Sequence, residues 1–378
     1  MNNKTRSIVG FSSLFWILLH IPLFCSNAVL TVNALAIMKK YTCRRLTHAD
    51  VPAMEKLIRS LEWGQTKQDL EFIVRNHNAS WGYFDTSCQP ARLVSMASLP
   101  QFATYSWLAY VATQEDHRRQ GLATHLIEQV LQHQSVQSRS TDVPTIGLYG
   151  SVMGSPLYEQ SFGFHDHGTA HLLSATIDTV QLNDTIRNSA GALPKGHTLV
   201  PLSHAIEEVV QSMDHHLYGS TGRPPVMDHA DNAFAILENA QTLKGYVLAR
   251  SMHPAGSANQ SVGVFVGPVV ACNTNEAQLL LHQAIKNALS HQQEQTRTSS
   301  TSIQVQMLLT KPFTKNSLQE QQQQEFRSAT IAMGFSEVSQ SRLMVRGSPD
   351  QIPWMRQWQT DSQSPEPKAF VAAGYEFG

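Results

Sequence analysis

The chain has 378 residues, 42% hydrophobic and 15% charged, a composition that excludes a disordered chain and, at this length, points to about two domains of roughly 150 residues each. Lys and Arg number 28 against 29 Asp and Glu, a net charge of -1, which excludes a polyanion binder driven by global charge. Four cysteines lie far apart with no Cys-x-x-Cys pair, so neither a disulfide framework nor a zinc module is expected.

Residues 1–37 open with Lys4 and Arg6 and are almost uniformly apolar from Ile8 to Cys25. Ser26 and Ala28 fit a signal-peptidase site, with Ala34-Leu35-Ala36 as a second. Three readings stay open. One is a cleaved export signal, and another is a membrane anchor spanning residues 8–37, since the apolar character continues through Val29 and Leu30 to Ile37. In the anchor reading Lys39, Lys40, Arg44 and Arg45 hold the body on the cytosolic side. The third is an extension without a targeting role, with Met38 as the start. Secretory or membrane association follows from the first two, and a cytoplasmic protein from the third.

From residue 41 to about 179 strands and helices alternate. Residues 41–46 read as a strand and are followed by a helix with Met54, Leu57, Ile58 and Leu61 at helical spacing. Residues 81–84 and 93–99 form a hairpin through the turn cluster at 85–90. Residues 107–112 are a strand, 121–133 a helix that buries Leu122, Leu126, Ile127, Val130 and Leu131, 145–149 a strand, 156–160 a helical turn, and a strand follows Phe164.

After a polar, turn-rich join the second half repeats the mixed pattern. Helices are expected at 204–217 and 276–289, the latter starting from Asn273 and Glu276 as a capping-box-like pair. Strands fall at 233–238, 245–251, 262–270, 303–309 and 342–345. Residues 292–302 and 319–324 read as loops and a solvated helix start, and the chain beyond Gly347 as a tail.

The sharpest segment runs from Tyr110-Val111-Ala112 through Arg118-Arg119-Gln120-Gly121-Leu122-Ala123-Thr124 into the amphipathic helix. A strand, a loop with Gly121 and a small residue at 123, then a helix together gather free backbone N–H groups at a helix N-terminus, a cradle suited to pyrophosphate. Gly121 allows close approach, Ala123 avoids a clash, and Arg118 or Arg119 supplies countercharge. Its partner runs from Ile146-Gly147-Leu148-Tyr149-Gly150 through Leu157-Tyr158-Glu159 to Phe162-Gly163-Phe164.

Together the two segments resemble the GNAT acyl-CoA-dependent acetyltransferases. Several features resemble its tandem type, in which a second, diverged GNAT-like half follows the first: Leu61-Glu62-Trp63-Gly64 with Asp69, Gly222-Arg223, Val266-Gly267-Pro268-Val269 and Met333-Gly334-Phe335. The resemblance implies an α/β fold with a mixed sheet, the GNAT acyl-CoA acyltransferase fold followed by a degenerate GNAT-like domain. The organisation expected is a leader (1–37), a GNAT domain (38–178), a linker (179–195), a second domain without a phosphate loop (196–347) and a tail (348–378).

What the resemblance implies for function is an N-acetyltransferase that moves an acetyl group from acetyl-CoA, a co-substrate, to a small-molecule primary amine by direct attack in a ternary complex. Tyr110, Val111, Arg118, Arg119, Gln120, Gly121, Leu122, Ala123 and Thr124 would meet the coenzyme, and the backbone N–H near Val111 the developing oxyanion. Tyr158 would be the acid toward the thiolate and Glu62 the base, with Glu115 and Asp69 as further candidates. Trp63, Asp69 and Tyr149 would border the acceptor. Many GNAT proteins carry Asn where this chain has Ser151, so a non-catalytic acyl-CoA sensor or scaffold is one alternative and a protein or peptide N-acetyltransferase another. His165-Asp166-His167 and Asp214-His215-His216 lack metal-ligand spacing, so no metal is expected. Cys43 and Cys88 lack the setting of a nucleophile, and no nucleic-acid partner is expected.

Overall fold

A computed structural model of the protein describes residues 40–76, 80–137, 144–178, 192–219, 232–253, 263–296, 302–312, 317–359 and 366–372. The apolar leader, most of the join at 179–195 and the Gly222-Arg223 pair lie outside the described residues.

The first half runs β1 (Tyr41–Arg45), α1 (Val51–Ser60), α2 (Lys67–Asn76), β2 (Ser80–Asp85), β3 (Arg92–Ser98), β4 (Ser106–Trp107), β5 (Ala109–Thr113), α3 (Leu122–Gln137), β6 (Ile146–Gly150), α4 (Ser155–Phe162) and β7 (His165–Asp178). Val51, Met54, Leu57 and Ile58 make the buried face of α1, as their spacing predicts. Helix α2 is an addition to the sequence reading. Its signal is a capping pair, for Asp69 Oδ2 accepts from both the Thr66 N–H at 2.6 Å and the Thr66 hydroxyl at 2.8 Å.

The expected single strand at 107–112 is broken in two. Ser106 and Trp107 pair in parallel with Ile146 and Gly147, and the Leu108 N–H donates to the Gly147 carbonyl at 2.8 Å. The chain then leaves that sheet, and β5 pairs with β3 in an antiparallel sheet of order β1-β2-β3-β5. A bulge sits at the departure: the register passes from Ser98 opposite Ala109 to Met96 opposite Ala112, and Tyr110 has φ 53°. Gly147 is required here, since a Cβ on it would lie 2.1 Å from the ring of the fully buried Trp107. β5 and β6 therefore diverge from a closely packed hinge.

The second half adds β8 (His197–Pro201), α5 (His204–Tyr218), β9 (Asn232–Glu238), β10 (Thr242–Met252), β11 (Gly263–Ala271), α6 (Thr274–Thr296), β12 (Ser302–Pro312), α7 (Ser317–Ala332), β13 (Ser336–Arg346), α8 (Pro353–Gln359) and β14 (Lys368–Val371). Among the described residues the second sheet has the order β4-β6-β13-β7-β12-β11-β10-β9-β8, with β14 also on β11. Strand β13, late in the chain, lies between β6 and β7 and pairs antiparallel with both. β12 pairs with β7 from Ser302 opposite Asp178 to Pro312 opposite Gly168. One sheet thus crosses both halves of the chain.

Two parts of the sequence reading are corrected at the C-terminal end. The segment beyond Gly347 contains α8, which buries Trp354, Met355 and Trp358, and β14, antiparallel to β11. Gln319–Gln324 does start a helix, α7, but it is not wholly solvated: Gln319 is buried, and Phe326 further along joins the core. In both cases polar and proline residues mask short apolar sets that tertiary packing takes up. Among the described residues, no helix is long and apolar enough to cross a membrane.

Candidate active site

Between β5 and α3 the chain makes a short 3-10 turn at Glu115–His117 and then a loop in which Arg119 (φ 61°) and Gly121 (φ 79°) are left-handed. The Gly121 carbonyl accepts from the His125 N–H at 3.0 Å, which makes Gly121 the cap of α3. The N–H groups of Leu122, Ala123 and Thr124 then belong to the first helical turn and have no partner within the helix. Arg118 is half-buried, its Nε donating to the Thr113 carbonyl at 3.3 Å, and Arg119 is exposed. Free backbone donors at a helix N-terminus, with two arginines in the preceding loop, have the chemistry to hold an anion. The Leu122 side chain is buried in the core, so that residue offers its main chain to the loop, and the Gln120 side chain is bonded to Tyr41 and to the Asp116 carbonyl.

Where β5 and β6 part, a cavity of about 340 Å³ opens. Leu108, Ala109, Tyr110 and Val111 line one side and Tyr149, Ser151 and Tyr158 the other. Glu62, Trp63 and Asp69 line it as well, so the residues expected for the donor end, the acid and the acceptor border one space. Glu115 and residues 118–124 are not among those lining it.

Tyr158, on α4, is buried with its ring edge-on to Phe164 at 6.0 Å. Burial pushes its phenol well above the usual tyrosine range, so it holds its proton. Gly154 lets that ring approach, a Cβ there lying 3.1 Å from it. Ser151, in the place of the commoner Asn, organises this turn: its hydroxyl accepts from the Gly154 N–H at 3.1 Å and its carbonyl from the Ser155 N–H at 2.8 Å.

Glu62 ends α1 in an unusual way. The Trp63 N–H returns to the Ile58 carbonyl at 3.2 Å and the Glu62 N–H to the Arg59 carbonyl at 3.0 Å, the Schellman closure, which puts Glu62 at φ 57°. Glycine ordinarily takes that position, and a side chain there costs about 1 kcal/mol. The next residues are fixed too: Trp63 is 37% exposed at the cavity, and the Gly64 carbonyl accepts from the His253 N–H at 2.8 Å. Asp69 sits deeper, its Oδ1 accepting from Arg250 Nε at 2.9 Å. With both oxygens engaged, Asp69 is a structural anion rather than a free base.

The far wall is built from residues that the sequence does not single out. It comes from β7 (Leu172), the second-half strands β10 (Arg250, Met252), β11 (Phe265) and β12 (Gln306), and the inserted β13 (Ser339, Gln340, Ser341). Arg250 is 6% exposed and lies 4.5 Å from the Phe265 ring centroid. Its signal in sequence is a lone cation inside the apolar run Val247-Leu248-Ala249-Arg250. Gln65 also lines the cavity, its Oε1 buried and without a hydrogen-bond partner among the described residues.

Elsewhere Asp166 accepts from Arg342 Nε at 2.5 Å, and Asp214 turns inward to accept from the Tyr246 hydroxyl at 2.6 Å while His215 and His216 are exposed. Among the described residues, no group of three or more His, Cys, Asp or Glu is placed to hold a metal ion. Burial, with Glu276 adding to it, pushes the Cys272 thiol up to about 12, and burial also raises that of Cys43.

Residues 34–154 match the model of the Acetyltransferase (GNAT) family. No curated protein matches the chain. Among solved structures, an acetyltransferase candidate from Pyrococcus horikoshii is 15% identical with a TM-score of 0.55, covering 90% of this chain and 96% of its own. A tandem GNAT protein of the clavulanic acid biosynthesis pathway is 14% identical with a TM-score of 0.54, covering 82% of this chain and 98% of its own. A GCN5-related N-acetyltransferase from Sphaerobacter thermophilus, 12% identical with a TM-score of 0.50, covers 81% of this chain and 95% of its own. At these identities the likenesses are ones of fold. Residues 34–154 are thus similar to the GNAT acetyltransferase family, whose general chemistry is acyl transfer, within a chain that shares the fold of a tandem GNAT protein.

Proposed function

We propose that the protein is an N-acetyltransferase that moves an acetyl group from acetyl-CoA to a small primary amine by direct attack within a ternary complex. The observation that carries this reading is the single cavity in which the parting strands, Tyr158 and Glu62 meet. Backbone donors at Gly121–Thr124, with Arg118 and Arg119, suit the pyrophosphate, and the slot between Val111 and Tyr149 suits the acyl arm.

Bound there, the thioester supplies an activated acyl group. Glu62 takes the proton that makes an amine an unreactive ammonium, and Trp63 flanks it. Val111, passed over by the β3 register, lines the slot, and its N–H is the donor assigned to the negative charge that develops there. Tyr158 keeps its proton until it gives it to the departing sulfur.

The second half is read as closing the acceptor side and carrying no coenzyme site of its own. At the start of α6, Asn273 Oδ1 accepts from the Glu276 N–H at 3.0 Å and the Glu276 carboxylate from the Cys272 N–H at 3.2 Å. The chain's own carboxylate thus stands where a phosphate would sit. A wall closed by Arg250, Met252 and Phe265 favours a small amine over a peptide. Titration of acetyl-CoA into the purified protein tests the reading: saturable one-to-one binding is expected, and no binding would overturn it.

A further inference from the structure

Beside the cradle, Tyr41 of β1 reaches two residues of the loop at once. Its hydroxyl donates to Gln120 Oε1 at 2.8 Å and lies 2.8 Å from His117 Nδ1. On the other side of the imidazole, Arg92 of β3 brings Nη2 to 2.9 Å from His117 Nε2. A guanidinium only donates, so Nε2 accepts and carries no hydrogen. The Tyr41 proton is committed to Gln120, so His117 Nδ1 bears the hydrogen and donates to the Tyr41 oxygen. The direction is therefore Arg92 to His117 to Tyr41 to Gln120, and Gln120 Nε2 continues to the Asp116 carbonyl at 3.4 Å. Donors and acceptors alternate without conflict along the whole chain.

The loop needs such a fastening. Arg119 is held at φ 61°, a conformation that persists for a residue with a Cβ only where its surroundings impose it. The relay grips the loop on both sides of that residue, at His117 and at Gln120, and ties both to one hydroxyl on a sheet strand. His117 is 3% exposed and its bond to Tyr41 is buried, so that link is shielded from competing water.

We infer that the Arg92–His117–Tyr41–Gln120 relay sets the shape of the coenzyme loop, making Tyr41, His117 and Gln120 positioning residues for the acyl donor. This rests on the reading of residues 118–124 as the coenzyme cradle. The relay works only with neutral His117. Asp116 Oδ2 at 3.5 Å and Asp85 Oδ2 at 3.9 Å face Nε2 and favour its protonation; burial, Lys40 and Arg92 oppose it, and burial is the largest influence, so the imidazole protonates below the usual histidine range. The relay is complete at neutral pH and is lost as pH falls through that lowered value, where a proton on Nε2 would confront the Arg92 N–H.

The test is calorimetric titration of coenzyme A into the full-length protein, near neutral pH and about two units lower. Tyr41→Phe and Gln120→Ala should each weaken binding roughly 3- to 10-fold, the span that one hydrogen bond controls. In turnover the effect should fall on the KM for the donor and spare that for the amine. Because Gln120 is exposed, its variant tests the relay without disturbing the core. A glutamine at position 117 can still accept from Arg92 and donate to Tyr41 but does not titrate, so His117→Gln should lose the part of the acid weakening that exceeds the coenzyme's own titration. Unchanged affinity in both Tyr41→Phe and Gln120→Ala would overturn the inference. A parent protein that does not bind coenzyme A would overturn the cradle reading beneath it.

Discussion

Asp69 on α2 accepts from Arg250 on β10 at 2.9 Å, and this buried ion pair joins the two halves of the chain at the wall of their shared cavity. The same carboxylate caps its own helix through Thr66, so one side chain fixes α2, the loop before it and the strand opposite. Removing one member of a buried pair strands the other charge away from water. Asp69→Ala is expected to lower unfolding stability by roughly 3–5 kcal/mol in a denaturant titration. A loss under about 1 kcal/mol would mean that the pair does not hold the halves together.

The inserted β13 predicts that the first half is not self-sufficient. A fragment of residues 38–178 would expose the β6 edge and both edges of β7, a fourteen-residue strand. Alone, it should aggregate or lack a fixed near-ultraviolet circular dichroism signal, and co-expression with residues 192–378 should rescue it. A soluble, cooperatively melting fragment would show that the first half does not depend on the inserted β13.

At Glu62 stability and activity should move in opposite directions. Its left-handed backbone suits glycine, so Glu62→Gly is expected to raise stability by about 0.5–1 kcal/mol. The same change should cut turnover, with more of the loss recovered at high pH, where the amine deprotonates by itself. Lowered stability with full activity would remove Glu62 from the mechanism.

Tyr158→Phe leaves the packing against Phe164 and deletes the proton. Turnover should fall about 100-fold or more while coenzyme affinity changes little. Because burial raises the phenol, the parent enzyme should show no alkaline loss of activity from Tyr158 within the usual tyrosine range. Full turnover in Tyr158→Phe would assign the acid elsewhere.

Arg118→Glu combined with Gly121→Glu places two carboxylates at the cradle and should abolish coenzyme binding at a stability cost of only about 1 kcal/mol, that of a side chain at the left-handed Gly121 (φ 79°). Retained affinity would show that the coenzyme loop lies elsewhere.

The strand, the loop with its left-handed glycine and the amphipathic helix within residues 109–137 were legible in sequence because they are contiguous. Tyr158 was singled out by the family resemblance, and its place at the cavity follows from its position just after β6. The far wall was not legible, since Arg250, Phe265, Gln306 and Ser341 are brought to the cavity by sheet pairing over long separations. Nor was the division of residues 106–113 between two sheets, because Trp107 and Tyr110 both suit a strand and only the bulge separates them. Trp354 and Trp358 were lost among the polar residues of an apparent tail, and only their burial shows that they complete the core.

The central claim is that the thioester and an amine react in this one cavity. The most direct measurement is thiol release from acetyl-CoA by the purified protein, followed with and without a panel of small primary amines. Release that depends on an amine, saturates in both substrates and is lost in Tyr158→Phe is predicted. Tight acetyl-CoA binding with no amine-dependent release across the panel would contradict it.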